Sequence, residues 1–168
     1  MISKKMSGVI NGQINAELYS SYLYLGMSTW FSEKSLSGFA GWMRAQAQEE
    51  MFHSMKMLDY LLERGGSVEL EAIAKPVRHW STPLEVIEET AAHEAKVTGL
   101  INDLVDVALE ERDHAANIFL QWFVAEQVEE ESSVGDVVEK MKMIGNDSAG
   151  MFAMDMEMGK RVFTPPEG

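Results

Sequence analysis

No cysteine occurs among the 168 residues, and only 4 are proline. The missing thiols exclude disulfide scaffolds, thiolate zinc sites, iron–sulfur clusters and cysteine nucleophiles. Basic residues are scarce too: 14 lysines and arginines stand against 27 aspartates and glutamates, for a formal charge of −13. That balance argues against nucleic acid and anionic membranes as partners, and fits cations or a highly soluble assembly. Long apolar runs are also lacking. Met1-Ile2-Ser3-Lys4-Lys5 leads into no signal-peptide core, and no stretch approaches the roughly 18 apolar residues of a membrane span. A cytoplasmic protein with no membrane anchor is expected. What is present is a 46% hydrophobic content, enough for one domain over residues 1–168 with a real core.

The remaining punctuation divides that core into helices. Ser35-Leu36-Ser37-Gly38, Gly65-Gly66 and Gly145-Asn146-Asp147 interrupt long stretches with apolar residues at three-and-four spacing. The pattern predicts α1 over 4–33, α2 over 38–64, α3 over 83–111, α4 over 114–144 and a shorter α5 over 148–160, with an extended tail at 161–168. Thr82-Pro83-Leu84-Glu85 reads as a capping box with proline at the first helical position. Asp113 and Asp147 are placed to cap α4 and α5, and Gly145 to stop α4. Short α1–α2 and α3–α4 connections predict antiparallel hairpins, whereas the α2–α3 link is long enough to travel the length of a bundle. The expected fold is all-α: a four-helix bundle with one long α2–α3 crossover and a short fifth C-terminal helix.

Each long helix carries polar residues on its inward stripe. The seams read Ile10, Ile14, Glu17, Ser21, Tyr24 in α1; Phe39, Trp42, Gln46, Glu50, His53, Met57, Tyr60 in α2; Ile87, Ala91, Glu94, Thr98, Ile101, Val105 in α3; and Leu120, Phe123, Gln127, Glu130, Val134, Val137, Met141 in α4. An isolated buried carboxylate costs several kcal/mol even after relaxation. Arg44, Lys56, Lys96, Lys140 and Lys142 fall on outer faces, so lysine and arginine do not neutralise Glu17, Glu50, Glu94 and Glu130. Bound cations would, since four carboxylates balance two divalent ions. Glu50 and His53 lie one turn apart and can share an ion. Oxygen ligands with one imidazole suit iron or manganese, with zinc as competitor. Two Glu-x-x-His motifs are usual in ferritin-like di-metal bundles. Here only α2 has one, and α4 carries Gln127-x-x-Glu130 in place of the second.

The segments Asn15-Ala16-Glu17-Leu18-Tyr19-Ser20-Ser21-Tyr22-Leu23-Tyr24, Gln48-Glu49-Glu50-Met51-Phe52-His53, Glu94 and Phe119 through Glu131 together resemble the non-haem ferritins of bacteria and archaea. The resemblance runs from about Met6 to the Phe163-Thr164-Pro165-Pro166 tail. It implies an iron-storage protein with ferroxidase activity, oxidising Fe(II) with dioxygen or hydrogen peroxide and depositing ferric mineral inside a cage. One iron would be bound by Glu17, Glu50 and His53. A second would be bound by Glu94 and Glu130, with Glu50 bridging and Gln127 near it. Glu49, Glu126 and Glu129, one position off the seams, match residues that hold a third iron in prokaryotic ferritins; the alternative is a solvated acidic face. Tyr24, two turns after Glu17, takes a hydrogen-bonding or electron-donating role in that family, or is a plain core tyrosine. The partner implied is further copies of the same chain, in a shell of 24 subunits for that family.

Other readings fit less well. Met51 stands where bacterioferritins place a haem methionine, but α4 lacks their second Glu-x-x-His, and the 13 methionines read better as packing, so haem is disfavoured. A rubrerythrin-like or bacterioferritin-like di-iron peroxidase is the alternative enzyme, and a metal-free helical interaction module the alternative of another class. His79, His93 and His114 have no glutamate partner on an apolar stripe and read as surface histidines. Leu120 and Asn117 stand where animal ferritins carry the carboxylates of their three-fold pores, so an acidic channel there is not expected.

Overall fold

The computed structural model describes residues 1–165, and its regular structure is five helices in chain order. They are α1 (Lys4–Glu33), α2 (Ser37–Glu63), α3 (Pro83–Glu110), α4 (His114–Ile144) and α5 (Ser148–Met158). Among the described residues there is no strand. The bounds of α1 and α4 are those expected from sequence, and those of α2, α3 and α5 differ by one or two residues. Of the expected tail, 161–165 has no regular structure, and 166–168 lies outside the described residues. No helix is long and apolar enough to cross a membrane.

The caps act as their chemistry requires. Thr82 accepts from the Glu85 amide at 3.1 Å, while the Glu85 carboxylate accepts from the Ser81 amide at 2.6 Å, one residue before the usual capping-box donor. Asp113 accepts from the Ala116 amide at 3.0 Å, and Asp147 from the Gly150 amide at 2.9 Å. The two short hairpin turns each pass through a left-handed residue that is not glycine, Ser35 (φ 61°) and Arg112 (φ 54°).

The crossover from α2 to α3 runs along α1. It begins where the Ile2 amide bonds the Arg64 carbonyl, passes Asn11, which bonds both the Ser67 carbonyl and the Glu69 amide, and ends where Trp80 packs edge-on against Trp30 at 6.0 Å. Since α1 and α2 are antiparallel, a link spanning the length of α1 sets α3 parallel to α2. The fifth helix lies across the start of α2, where the Asp155 carboxylate accepts from the Phe39 amide at 3.0 Å.

The core is split in two. One apolar cluster holds Met27, Phe31, Phe39, Met43, Ile87 and Met141; the other holds Met6, Ile10, Ile14, Leu61, Ile101 and Leu120. Between them every helix of the bundle turns polar at the same level: Glu17 in α1, Glu50 and His53 in α2, Glu94 in α3, Gln127 and Glu130 in α4. Most expected seam residues are buried. In α3 the buried row is Thr90, Glu94, Val97, Ile101, Leu104 and Ala108, rotated from the expected one, and Ala91, Thr98 and Val105 are only part-buried.

Candidate metal centre

Glu17, Glu50, Glu94, Gln127, Glu130 and His53 are each at most 5% exposed. Ligand atoms of Glu17, Glu50 and His53 lie within 4.8 Å of one another, a trio able to hold one metal ion. His53 Nδ1 sits 3.3 Å from Glu50 Oε2, the one-turn pairing that the i, i+3 spacing requires. Gln13, one turn before Glu17, donates to Glu17 Oε1 at 2.8 Å, and Glu17 Oε2 has no hydrogen-bond donor among the described residues. Such an orphaned, buried carboxylate oxygen is the atom a cation would satisfy.

Glu94 and Glu130 face this trio but are not gathered into it. Tyr24 donates its hydroxyl to Glu94 Oε1, and Gln127 Nε2 lies 3.3 Å from both Glu94 Oε2 and the Glu94 carbonyl. Gln46 donates to Glu130 Oε2 at 2.9 Å. Each of these neutral donors stabilises a carboxylate that is buried close to others of like charge. Burial, reinforced by the neighbouring Glu50 carboxylate, pushes the Glu17 carboxyl well above its ordinary range. Burial and the Glu94 charge do the same to Glu50. Burial, with Glu130 beside it, raises Glu94 to about 7. A divalent ion would reverse all three shifts by supplying the missing positive charge.

A second group lies alongside. Glu49, His53 and Glu126 also bring ligand atoms within 4.8 Å of one another, so His53 belongs to both clusters. Burial and the Glu130 charge raise Glu49 to about 7 in spite of Arg161. Glu129, expected with this group, is exposed and outside it.

Three features were not foreseen. Arg161, in the tail, reaches back and bonds Glu49, so one cation does approach the acidic layer. Gln13 and Gln46 orient carboxylates: Gln13 stands one helical turn before Glu17, a pairing that the helical period could have given, whereas Gln46 reaches across to Glu130 on α4. His93 is part-buried, not a surface histidine. Ser20 Oγ lies 2.8 Å from its Nε2, and its ring stands 5.7 Å from the Tyr24 ring at 87°. Burial lowers it to about 4, so it is neutral near pH 7. His79 and His114 are exposed, as expected.

The chain that carries this polar layer is similar to known proteins in both sequence and fold. A family model described as a ferritin-like domain covers residues 8–144. The chain belongs to the ferritin family. It is 47% identical over 161 residues to a bacterial non-heme ferritin of Bacteroides fragilis, covering 96% of this chain and all of the relative. It is 40% identical over 155 residues to a bacterial non-heme ferritin of Campylobacter jejuni, covering 92% and 93% of the two chains. Among solved structures, an open pore ferritin from the hyperthermophilic archaeon Archaeoglobus fulgidus superposes with a TM-score of 0.96 at 49% identity, over 96% of this chain and 100% of that one. An engineered closed form of the Archaeoglobus ferritin gives the same TM-score at 50% identity, over 98% and 100%. This ferritin therefore shares its fold with the archaeal ferritin over nearly its whole length, and nearly half of its residues with the Bacteroides relative.

Proposed function

We propose that this ferritin is a ferroxidase subunit of an iron store. Glu17, Glu50 and His53 would hold one Fe(II), and Glu94 and Glu130, with Glu50 bridging and Gln127 alongside, a second. The observation that carries this reading is the buried polar layer itself, in which four carboxylates meet with little countercharge and one oxygen of Glu17 lacks a hydrogen-bond donor among the described residues. Iron here is substrate and cargo. Each of two Fe(II) ions gives up one electron: dioxygen and two protons yield hydrogen peroxide, or hydrogen peroxide and two protons yield two waters.

The chain's own groups supply the conditions. The apolar clusters above and below hold the ligands in a dry, fixed frame, which strengthens their attraction for a cation. Gln13 fixes one oxygen of Glu17 and leaves the other free for an ion, and Gln46 fixes Glu130 Oε2. Tyr24 fixes one oxygen of Glu94, and Gln127 Nε2 lies 3.3 Å from the other. The second position has no imidazole ligand and a neutral Gln127 beside it, because α4 carries Gln127-x-x-Glu130 in place of a second Glu-x-x-His. A weaker second site favours release of Fe(III) to a mineral over permanent retention.

The same reading gives the assembly and the cellular location. Ile118, Val128, Met143 and Phe152 are exposed large apolar side chains in the single chain, suited to contacts between copies. We infer a homo-oligomeric shell in the cytoplasm, as in the family, with Leu120 buried and unavailable as an acidic pore ligand. The di-iron peroxidase alternative is not favoured by any residue of the site.

The test is aerobic Fe(II) oxidation at two irons per subunit, with Glu50→Ala and His53→Ala beside the wild type and size exclusion on each. A fast ferric absorbance step lost in both variants, with the shell intact, is expected. Variants as fast as the wild type would overturn the assignment.

A further inference from the structure

The tail puts a cation inside the acidic layer. After α5 the chain turns back along α2, and the Arg161 guanidinium bonds Glu49 through Nη2. The same nitrogen stands 3.9 Å from Glu130 Oε1. Its planar group lies over the Trp42 ring at 5.2 Å, and its side chain is 26% exposed. Farther along, Phe163 packs 6.1 Å from Phe52, one residue before His53. Glu49 is also a member of the group with His53 and Glu126. Arg161 thus touches the outer acidic cluster on one side and a ligand of the proposed second iron on the other.

We propose that Arg161 is a displaceable counter-cation: it neutralises the Glu49–His53–Glu126 cluster in the ion-free protein, and a third metal ion takes its place there. Three features support exchange over a permanent lock. The cluster already accepts a positive charge, since the chain's own guanidinium is seated against it. The seat is incomplete, because Arg161 Nη1 is buried without a hydrogen-bond partner among the described residues. The segment carrying it has no regular structure, and Val162, between Arg161 and Phe163, is 80% exposed. Lys56 is the other cation nearby, and its ammonium is occupied over the Trp122 ring at 4.5 Å. A guanidinium and a divalent ion cannot share the Glu49 carboxylate without strong repulsion, so occupancy of the third position and docking of Arg161 exclude each other.

This rests on the reading of Glu49 and Glu126 as a further iron site, so the test separates the two. Assembled wild type, Arg161→Ala and Arg161→Lys are titrated with Co(II) without oxygen, counting ions per subunit and fitting each step. Arg161→Ala should bind the third ion about tenfold more tightly with the first two steps unchanged, and Arg161→Lys should stay near the wild type. Hydrogen exchange of the peptide 159–165 should accelerate in the wild type as the third ion binds. An unchanged or weakened third step in Arg161→Ala overturns the inference, as does tail exchange indifferent to the third ion. Saturation of every variant at two ions also overturns it, and leaves the paired centre standing. A wild type that takes no ion removes the metal-centre reading itself, and this inference with it.

Discussion

Tyr24, on α1, donates its phenolic hydroxyl to Glu94, on α3, at a point where both side chains are fully buried. Burial, together with the Glu94 charge, raises the Tyr24 hydroxyl well above its ordinary range, so it stays a donor. That bond is also one of the few influences holding the Glu94 carboxyl down against burial and the Glu130 charge. Tyr24→Phe removes it without changing the ring. A hydrogen bond to a charged group contributes about 1.5 kcal/mol, or roughly tenfold in an equilibrium. Weaker binding of the second Fe(II) is expected by about that factor, with a larger deficit at pH 6 than at pH 8, because Glu94 then keeps its proton to higher pH. Anaerobic Fe(II) titration at the two pH values is the check, and equal binding at both would remove Tyr24 from the site.

Glu94 also gives a stability signature in the ion-free protein. Its carboxyl is raised to about 7, against about 4.3 for a glutamate in an unfolded chain. Between those values the folded state holds a proton the unfolded state has lost. The contribution to stability is complete below pH ~4.3 and disappears as pH rises through about 7. Glu94→Gln is permanently neutral, so its melting temperature should gain on the wild type between pH 5 and pH 8. Adding Zn(II) should reverse that order at pH 8 and do little at pH 5. A constant difference across pH, measured with chelator present, would contradict the raised value.

Far from the metal layer, Asp113 joins two elements. Its carboxylate caps α4 through the Ala116 amide and pairs with Arg64 at the end of α2, at 2.9 and 3.1 Å. Burial raises this carboxyl, but the Arg64 hydrogen bond and the helix amides outweigh that and leave it below its ordinary range. Its stabilisation is therefore present above the unfolded value of about 3.9 and lost as pH falls through the lower folded one. Asp113→Ala should cost about 1–2 kcal/mol near neutral pH, with Fe(II) oxidation unchanged. Calorimetry of both proteins at pH 7 and in strong acid measures it, and a difference that persists in acid would contradict the sign.

How much of this was legible in sequence follows from how far each interaction reaches. Glu17, Glu50, His53, Glu94, Gln127 and Glu130 could be placed on buried stripes because the helical period fixes which residues share a face. In α3 two adjacent rows, Ala91–Thr98–Val105 and Thr90–Val97–Leu104, are both plausible, and only the packing of α4 and α1 against the helix selects the second. The burial of His93 likewise depends on Ser20, Tyr19 and Tyr24 of another helix. Arg161 was out of reach for a stronger reason. It follows the last helix, and no periodicity tells where a tail without regular structure returns.

Gly38 decides whether that tail can return at all. A Cβ built there would lie 1.6 Å from the Asp155 carbonyl oxygen, so backbone would have to move, not the end of a flexible side chain. The next residue, Phe39, gives its amide to the Asp155 carboxylate, which fixes α5 across the start of α2. Methyl insertion into such a contact costs about 1–3 kcal/mol when the neighbours shift to absorb it. Gly38→Ala should therefore loosen α5 while the four long helices, whose contacts lie elsewhere, remain folded. Hydrogen exchange should rise selectively in 148–158, and in the peptide carrying Arg161, which depends on α5 for its approach to Glu49. The first two Co(II) ions should bind as in the wild type, and the third should bind more tightly, as in Arg161→Ala. Unaltered exchange across 148–163 would show that the α5 contact yields without undocking, and that Glu49, Trp42 and Phe52 suffice to hold the tail.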